Sequence, residues 1–189
     1  SDTKLEELAD NIVFLVNKYV DEDLFESAAK NDSYNELQID CDWSPSTKDS
    51  YFELLKRVKE KSQKTVSCTM RLYPYKYSDK MGIPPVDRIM LLCYNLLNPT
   101  KNTDKNTILE IEELKKYIDF DADYPVPIDV ALPVYSSGYR FDHQQFSGAF
   151  HAVPKGFEAM AEKTENKLHY IVPKDTSMDY RYFHKGEKV

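Results

Sequence analysis

Leu37-Gln38-Ile39-Asp40-Cys41-Asp42-Trp43-Ser44 reads as a strand that carries two carboxylates on one side. Side chains on a strand alternate with a period of two. Gln38, Asp40, Asp42 and Ser44 therefore share one face, and Leu37, Ile39, Cys41 and Trp43 share the other. The apolar set belongs in a core, with Trp43 on the outward side where a helix would cover it. The polar set needs a counter-charge, a proton or a ligand, because burying unpaired carboxylates is costly. Asp40 and Asp42 are accordingly the first candidate site residues.

Working outward, helix-period and strand-period segments alternate. Residues 5–20 place Leu5, Leu8, Ile12, Leu15, Val16 and Tyr19 on one stripe, which predicts an amphipathic helix. After the strand at 37–43, Ser46 or Thr47 is placed to cap a helix carrying Tyr51, Leu54, Leu55 and Val58. Further strands are expected at 65–73, 88–95 and 127–135. A loop with Pro74, Gly82, Pro84 and Pro85 spans 74–86, and 108–118 is helical in period. A polar, aromatic loop at 136–147 precedes a short helix near 154–162 and a strand at 168–172.

Strands rich in Ile, Leu and Val, separated by helices, indicate a parallel sheet covered by helices, so the class is α/β. No Gly-rich phosphate loop follows any strand, and polar residues gather at the strands' C-terminal ends. Both features favour a (β/α)8 TIM-barrel-like arrangement over an open doubly wound sheet. A complete barrel takes about 250 residues, and only four strands are clear. The expected form is a partial barrel, or a segment of one, within a single domain 1–189.

Composition narrows the partners. With 189 residues and 41% hydrophobic content, the chain can bury a core. The net charge of -7 argues against nucleic acid, whose backbone is held by clustered Lys and Arg. The basic run at 56–64 reads as the solvated face of a helix. No stretch approaches the roughly 20 apolar residues of a transmembrane segment, and no signal peptide opens the chain. Cys41, Cys68 and Cys93 each sit in apolar, strand-like sequence and read as small core hydrophobes. An odd count without close spacing, together with scattered His143, His151, His169 and His184, signals neither a disulfide framework nor a zinc site. No metal or organic cofactor is expected.

Four segments together resemble glycoside hydrolase family 18, the chitinases and endo-β-N-acetylglucosaminidases. Ile39-Asp40-Cys41-Asp42-Trp43-Ser44 is similar to the end of that family's D-x-x-D-x-D-x-E signature. Val66-Ser67-Cys68-Thr69-Met70-Arg71 resembles the strand that follows it. Val86-Asp87-Arg88-Ile89 with Leu92-Cys93-Tyr94-Asn95 resembles V-D-x-I-x-x-M-x-Y-D, and Val130-Ala131-Leu132-Pro133-Val134-Tyr135-Ser136 resembles L-G-x-P-x-Y-G. The four occur in the family's order across residues 37–136, leaving 148–189 as a possible insertion or accessory region. The resemblance implies a barrel that binds an N-acetylglucosamine-type glycan outside the cytoplasm, in the periplasm, at the surface or secreted.

The departures bear on mechanism. The family's general acid is the glutamate closing the signature, and that position holds Ser44, which cannot donate a proton at neutral pH. In this family the sugar's own acetamide attacks the anomeric carbon while aspartates and a Tyr-Asp pair position it. Asp40, Asp42, Tyr94 and Asn95 match those supporting positions, with Asn95 replacing an aspartate. The general acid is unassigned; Asp142 and His143, otherwise surface residues, are the nearest alternatives by topology. Arg71 shares the parity of Ser67 and Thr69 and either ties down the aspartates or meets a ligand. Tyr94 and Tyr135 are either packed core tyrosines or sugar-facing ones, and Tyr135 and Tyr139 join Tyr73, Tyr75 and Tyr77 as rings able to stack on a pyranose. Three readings stay open: a glycan-binding protein without the standard hydrolysis, a glycosidase with a relocated acid, and an interaction protein with a vestigial site.

Overall fold

The stripe at residues 5–20 lies within helix α1 (Asp2–Asp21) of the computed structural model, which describes residues 2–21, 34–101, 104–118, 123–151 and 155–189. These divide into two units: Ser1–Cys93 with Lys115–Ala131, and Tyr94–Leu114 with Leu132–Val189. The segment 148–189 lies in the second.

The first unit is built on a parallel sheet of β1 (Glu36–Ile39), β2 (Thr65–Arg71), β3 (Arg88–Leu92) and β4 (Ile128–Ala131), as the run of apolar strands predicts. Their order in space follows their order in the chain without reversal, and β1 and β4 are the edges among the described residues. One face presents Leu37, Val66, Cys68, Met70, Ile89 and Leu91, all buried. Against it lies α2 (Lys48–Ser62), whose buried Tyr51, Leu55 and Val58 share one helical stripe. The Leu, Ile, Val and Met side chains among these each contribute about 1.5–3 kcal/mol by leaving water.

Helix α1 packs on α2 differently from the expectation. Its contact row joins Asp2 and Glu6 to Arg57, and Glu6 and Asp10 to Lys61, around buried Ala9. Leu8, Leu15 and Tyr19 of the apolar stripe stay exposed. Asp87 ties the sheet's N-terminal edge, accepting from the Val66 amide at 3.0 Å and Lys59 Nζ at 2.5 Å. The Lys59 and Val66 hydrogen bonds hold its carboxyl below the usual range.

Trp43 packs on the helix, as its parity predicts. It is 8% exposed, stacks on Tyr51 at 5.4 Å and meets Phe52 edge-on. Its Nε1–H donates to the Met81 carbonyl at 2.9 Å. Trp43→Phe keeps a ring but orphans that carbonyl, so we expect a loss of about 1–3 kcal/mol, read as a lowered urea midpoint for the first unit by circular dichroism.

Several elements end earlier than the sequence suggests. β1 stops at Ile39 and not at residue 43, so Asp40 and Asp42 lie beyond the strand and are exposed, not buried. Cys41, read as core, is exposed for the same reason, whereas Cys68 and Cys93 are buried as expected. β2 ends at Arg71 and turns directly into α3 (Leu72–Lys76) and α4 (Ser78–Met81), where a loop was expected. β3 ends at Leu92 and β4 at Ala131, both short of the lengths read from apolarity. Of the helix expected at 108–118, only one turn forms, α5 (Ile111–Leu114).

The second unit is antiparallel. β5 (Ser137–Asp142) and β6 (Gln145–His151) form a hairpin where a loop was expected. His143 and Gln144 take positive φ at its two-residue turn, the backbone of a type I′ connection. One turn, α6 (Phe157–Met160), falls within the short helix expected near 154–162, whose residue 154 lies outside the described residues. Strand β7 (Glu162–Lys163) pairs with β8 (Tyr170–Ile171), which falls inside the expected strand 168–172. Lys188 bridges Phe141 of β5 and Ile171 of β8, so the last residues complete the sheet between them. A second hairpin joins β9 (Thr176–Met178) to β10 (Arg181–Phe183). Phe150, Phe157, Ala161, Val172 and Phe183 form the core of this unit.

Candidate functional site

The candidate residues of the first unit form a ladder of side-chain pairs at the C-terminal end of β1 and β2. Parallel register sets Gln38 against Ser67. Gln38 Nε2 donates to Ser67 Oγ at 3.3 Å, Thr69 Oγ1 to Asp40 Oδ1 at 2.7 Å, and Arg71 Nε to Asp42 Oδ2 at 2.7 Å. The period-two alternation thus persists past the end of the β1 hydrogen-bond ladder, and each rung joins residues 29 apart in sequence. Ser67 and Thr69 are buried, while Arg71 and Asp42 are more than half exposed. An ion pair this open adds little to stability. Asp40 Oδ2 and Asp42 Oδ1 accept no hydrogen bond from the described residues, so each aspartate keeps one acceptor unengaged among them.

Ser44, where the resemblance implies a general acid, belongs to a local hydroxyl cluster. Its Oγ lies 2.9 Å from Ser46 Oγ and 3.1 Å from Thr47 Oγ1, and its carbonyl accepts from the Lys48 amide at the start of α2. Asp142 and His143 pair at 2.9 Å at the tip of the β5–β6 hairpin, both exposed. Tyr73 and Tyr77 pack at 4.7 Å and stay exposed, whereas Tyr75 stacks on Tyr124. Thiol chemistry at Cys68 is disfavoured, since burial pushes its pKa up to about 11 and keeps it protonated.

Tyr94, Asn95, Tyr135 and Tyr139 belong to the second unit. Tyr135 Oη donates to Asn95 Oδ1 at 2.7 Å, and the Tyr94 ring meets Tyr135 edge-on at 6.3 Å. Asn95 adopts a left-handed backbone, φ 55°, a conformation Asn tolerates better than most residues. Burial raises the Tyr135 pKa, although its bond to Asn95 opposes this, so the hydroxyl stays protonated and donates. Asn95, Tyr135 and Tyr139 line a cavity of about 630 Å³, and Tyr135 and Tyr139 also line a second of about 270 Å³.

Sequence reasoning did not single out Lys101, Lys105, His169 and Lys188, which also line the smaller cavity. All four lie in segments outside the resemblance or without clear period, and no motif marks them. Among the described residues no cluster of three or more His, Cys, Asp or Glu is placed to hold a metal ion, and no helix is long and apolar enough to cross a membrane. Comparison with protein families, with curated proteins and with solved structures finds no match to this chain.

Proposed function

We propose that this chain is a carbohydrate-active protein whose four parallel strands are part of a (β/α)8 barrel, and that it binds an N-acetylglucosamine-type glycan without the standard family hydrolysis. The observation that carries this reading is the rung pattern at the strand ends. Thr69 and Arg71 each hold one oxygen of Asp40 and Asp42, leaving the other oxygen to accept from a sugar hydroxyl or acetamide N–H. Ligands of parallel α/β sheets bind at the carboxyl ends of the strands. The chain-order sheet, without a reversal point, is what a barrel segment requires. Ser44 bonded into the α2 turn leaves no proton donor at the expected position. A glycan of this kind implies an extracytoplasmic location.

Titrating chitotetraose by calorimetry tests the role of the aspartates. Asp42→Ala should weaken binding at least tenfold, which corresponds to about 1.4 kcal/mol, and Arg71→Ala should weaken it less, since it frees a carboxylate oxygen as it removes a cation. Unchanged affinity in Asp42→Ala would exclude this ladder as the binding site.

A further inference from the structure

The smaller cavity of the second unit has a charge that the chain as a whole does not. The chain carries a net charge of -7. Yet Lys101, Lys105, His169 and Lys188 line this cavity, and no Asp or Glu side chain does so among the described residues. The adjoining cavity shares Pro99, Thr107, Tyr135, Ser137 and Tyr139 with it, adds His151, and again has no acidic side chain. Carboxylates bonded to the lining are few among the described residues: Val189 brings its own α-carboxylate, and Tyr170 Oη donates to Glu158 at 2.9 Å. Glu113 pairs with Lys105 at 2.6 Å and Asp104 lies 3.6 Å from His169 Nδ1. Lys101 makes no ion pair with the described residues.

The rest of the wall is suited to a ring. Tyr139, Phe141 and Tyr170 supply flat apolar surface, and Ser136, Ser137 and Asn106 supply hydroxyl and amide groups beside it. Stacking on such rings orients a pyranose, while the hydroxyls and amide bond its edge. At about 270 Å³ the cavity is slightly below the ~300 Å³ of the smallest ordinary ligand pockets, so it suits one ring and not an extended chain. A concave, cationic wall focuses field on an anion and gives a neutral sugar no such gain.

From this we propose that the second unit holds a separate subsite for a carboxylated monosaccharide, such as a uronic or nonulosonic acid residue of the glycan. This rests on the carbohydrate reading above and adds its substrate class. The test is calorimetric titration of the full chain with D-glucuronate, N-acetylneuraminate, N-acetylglucosamine and acetate. Expected is at least tenfold tighter binding of one acidic sugar than of N-acetylglucosamine or acetate. That binding should weaken at least fivefold in Lys101→Glu, weaken in Lys188→Gln, and fall as salt rises. Equal binding of acidic and neutral sugars, acetate binding as well as the acidic sugars, or unchanged affinity in Lys101→Glu would overturn the proposal. If chitotetraose binds and no acidic sugar is preferred, the subsite falls and the carbohydrate reading stands. If no sugar binds, both fall.

Discussion

Arg140→Met is expected to destabilise the antiparallel unit by about 3–5 kcal/mol, the cost of leaving a buried charge without its partner. Glu187 is 1% exposed. Arg140 Nε donates to its Oε1 at 2.6 Å and Nη2 to its Oε2 at 2.8 Å, while Ser147 Oγ and the His184 amide supply two further bonds. A bulge between Arg140 and Phe141 leaves Ser147 without a strand partner, and its hydroxyl reaches the carboxylate. Arg140 also lies over the Phe183 ring at 4.5 Å and bonds the Tyr182 carbonyl, so the pair fastens the segment carrying Glu187 to both hairpins. Burial by itself would push the Glu187 carboxyl up, but the Arg140 bonds, the His184 amide and Ser147 outweigh it, and the folded pKa lies below the ordinary value.

The sign of the pH dependence follows. With the folded value depressed, the unfolded chain binds more protons in the acid range, so stability rises with pH there. The contribution is complete above the unfolded value of about 4.3 and is lost as pH falls through the folded one. Arg140→Met should remove this rise, and Arg140→Met with Glu187→Met should recover most of the lost stability. Trp43 is the only tryptophan and lies in the other unit, so its fluorescence will not report this change. Native-state hydrogen exchange at Phe150 and Val172 will. A loss under 1 kcal/mol in Arg140→Met would show that the pair is not structural.

Gly138→Ala is expected to cost about 1–3 kcal/mol or more by overpacking. A Cβ there would sit 2.1 Å from Phe150 Cζ and 2.5 Å from Cε2, well inside contact distance. The ring has little room to retreat, being 2% exposed and held by Phe157 at 6.0 Å and Phe183 at 6.2 Å between centroids. Gly148→Ala in the facing strand is the control. Its Cβ would meet only Arg140 Cδ at 3.9 Å, so a change within about 0.5 kcal/mol is expected. Hydrogen exchange of the same core amides compares the two. Equal effects would mean that the Phe150 contact is not what limits the position.

The parallel half of the fold was legible because its signal is local and strong. Buried strands read as apolar runs, and period-two parity located Asp40, Asp42 and Arg71 on one face, as the rungs at 40–69 and 42–71 bear out. Strand ends were not legible. Apolarity continues through Cys41 and Trp43 after pairing has stopped, and Trp43 is buried by α2 without belonging to a strand. The β5–β6 hairpin escaped notice because its turn uses His143-Gln144, not the Asn-Gly or Asp-Gly pairs that announce type I′ geometry. The helix expected at 108–118 failed for the opposite reason. Its spacing suits a helix and Asn106 caps the amides of Ile108 and Leu109, yet only one turn follows. The basic cavity could not be read in advance, because it gathers Lys101, Lys105, His169 and Lys188 from distant parts of the chain.

The central proposal is glycan binding without the hydrolysis that the resemblance implies. Calorimetric titration of the intact chain with chitotetraose, followed by product analysis of the same samples after long incubation, tests it most directly. Saturable binding with the tetrasaccharide recovered uncut is the predicted result. Absence of binding by the folded protein, or release of shorter sugars, would contradict it.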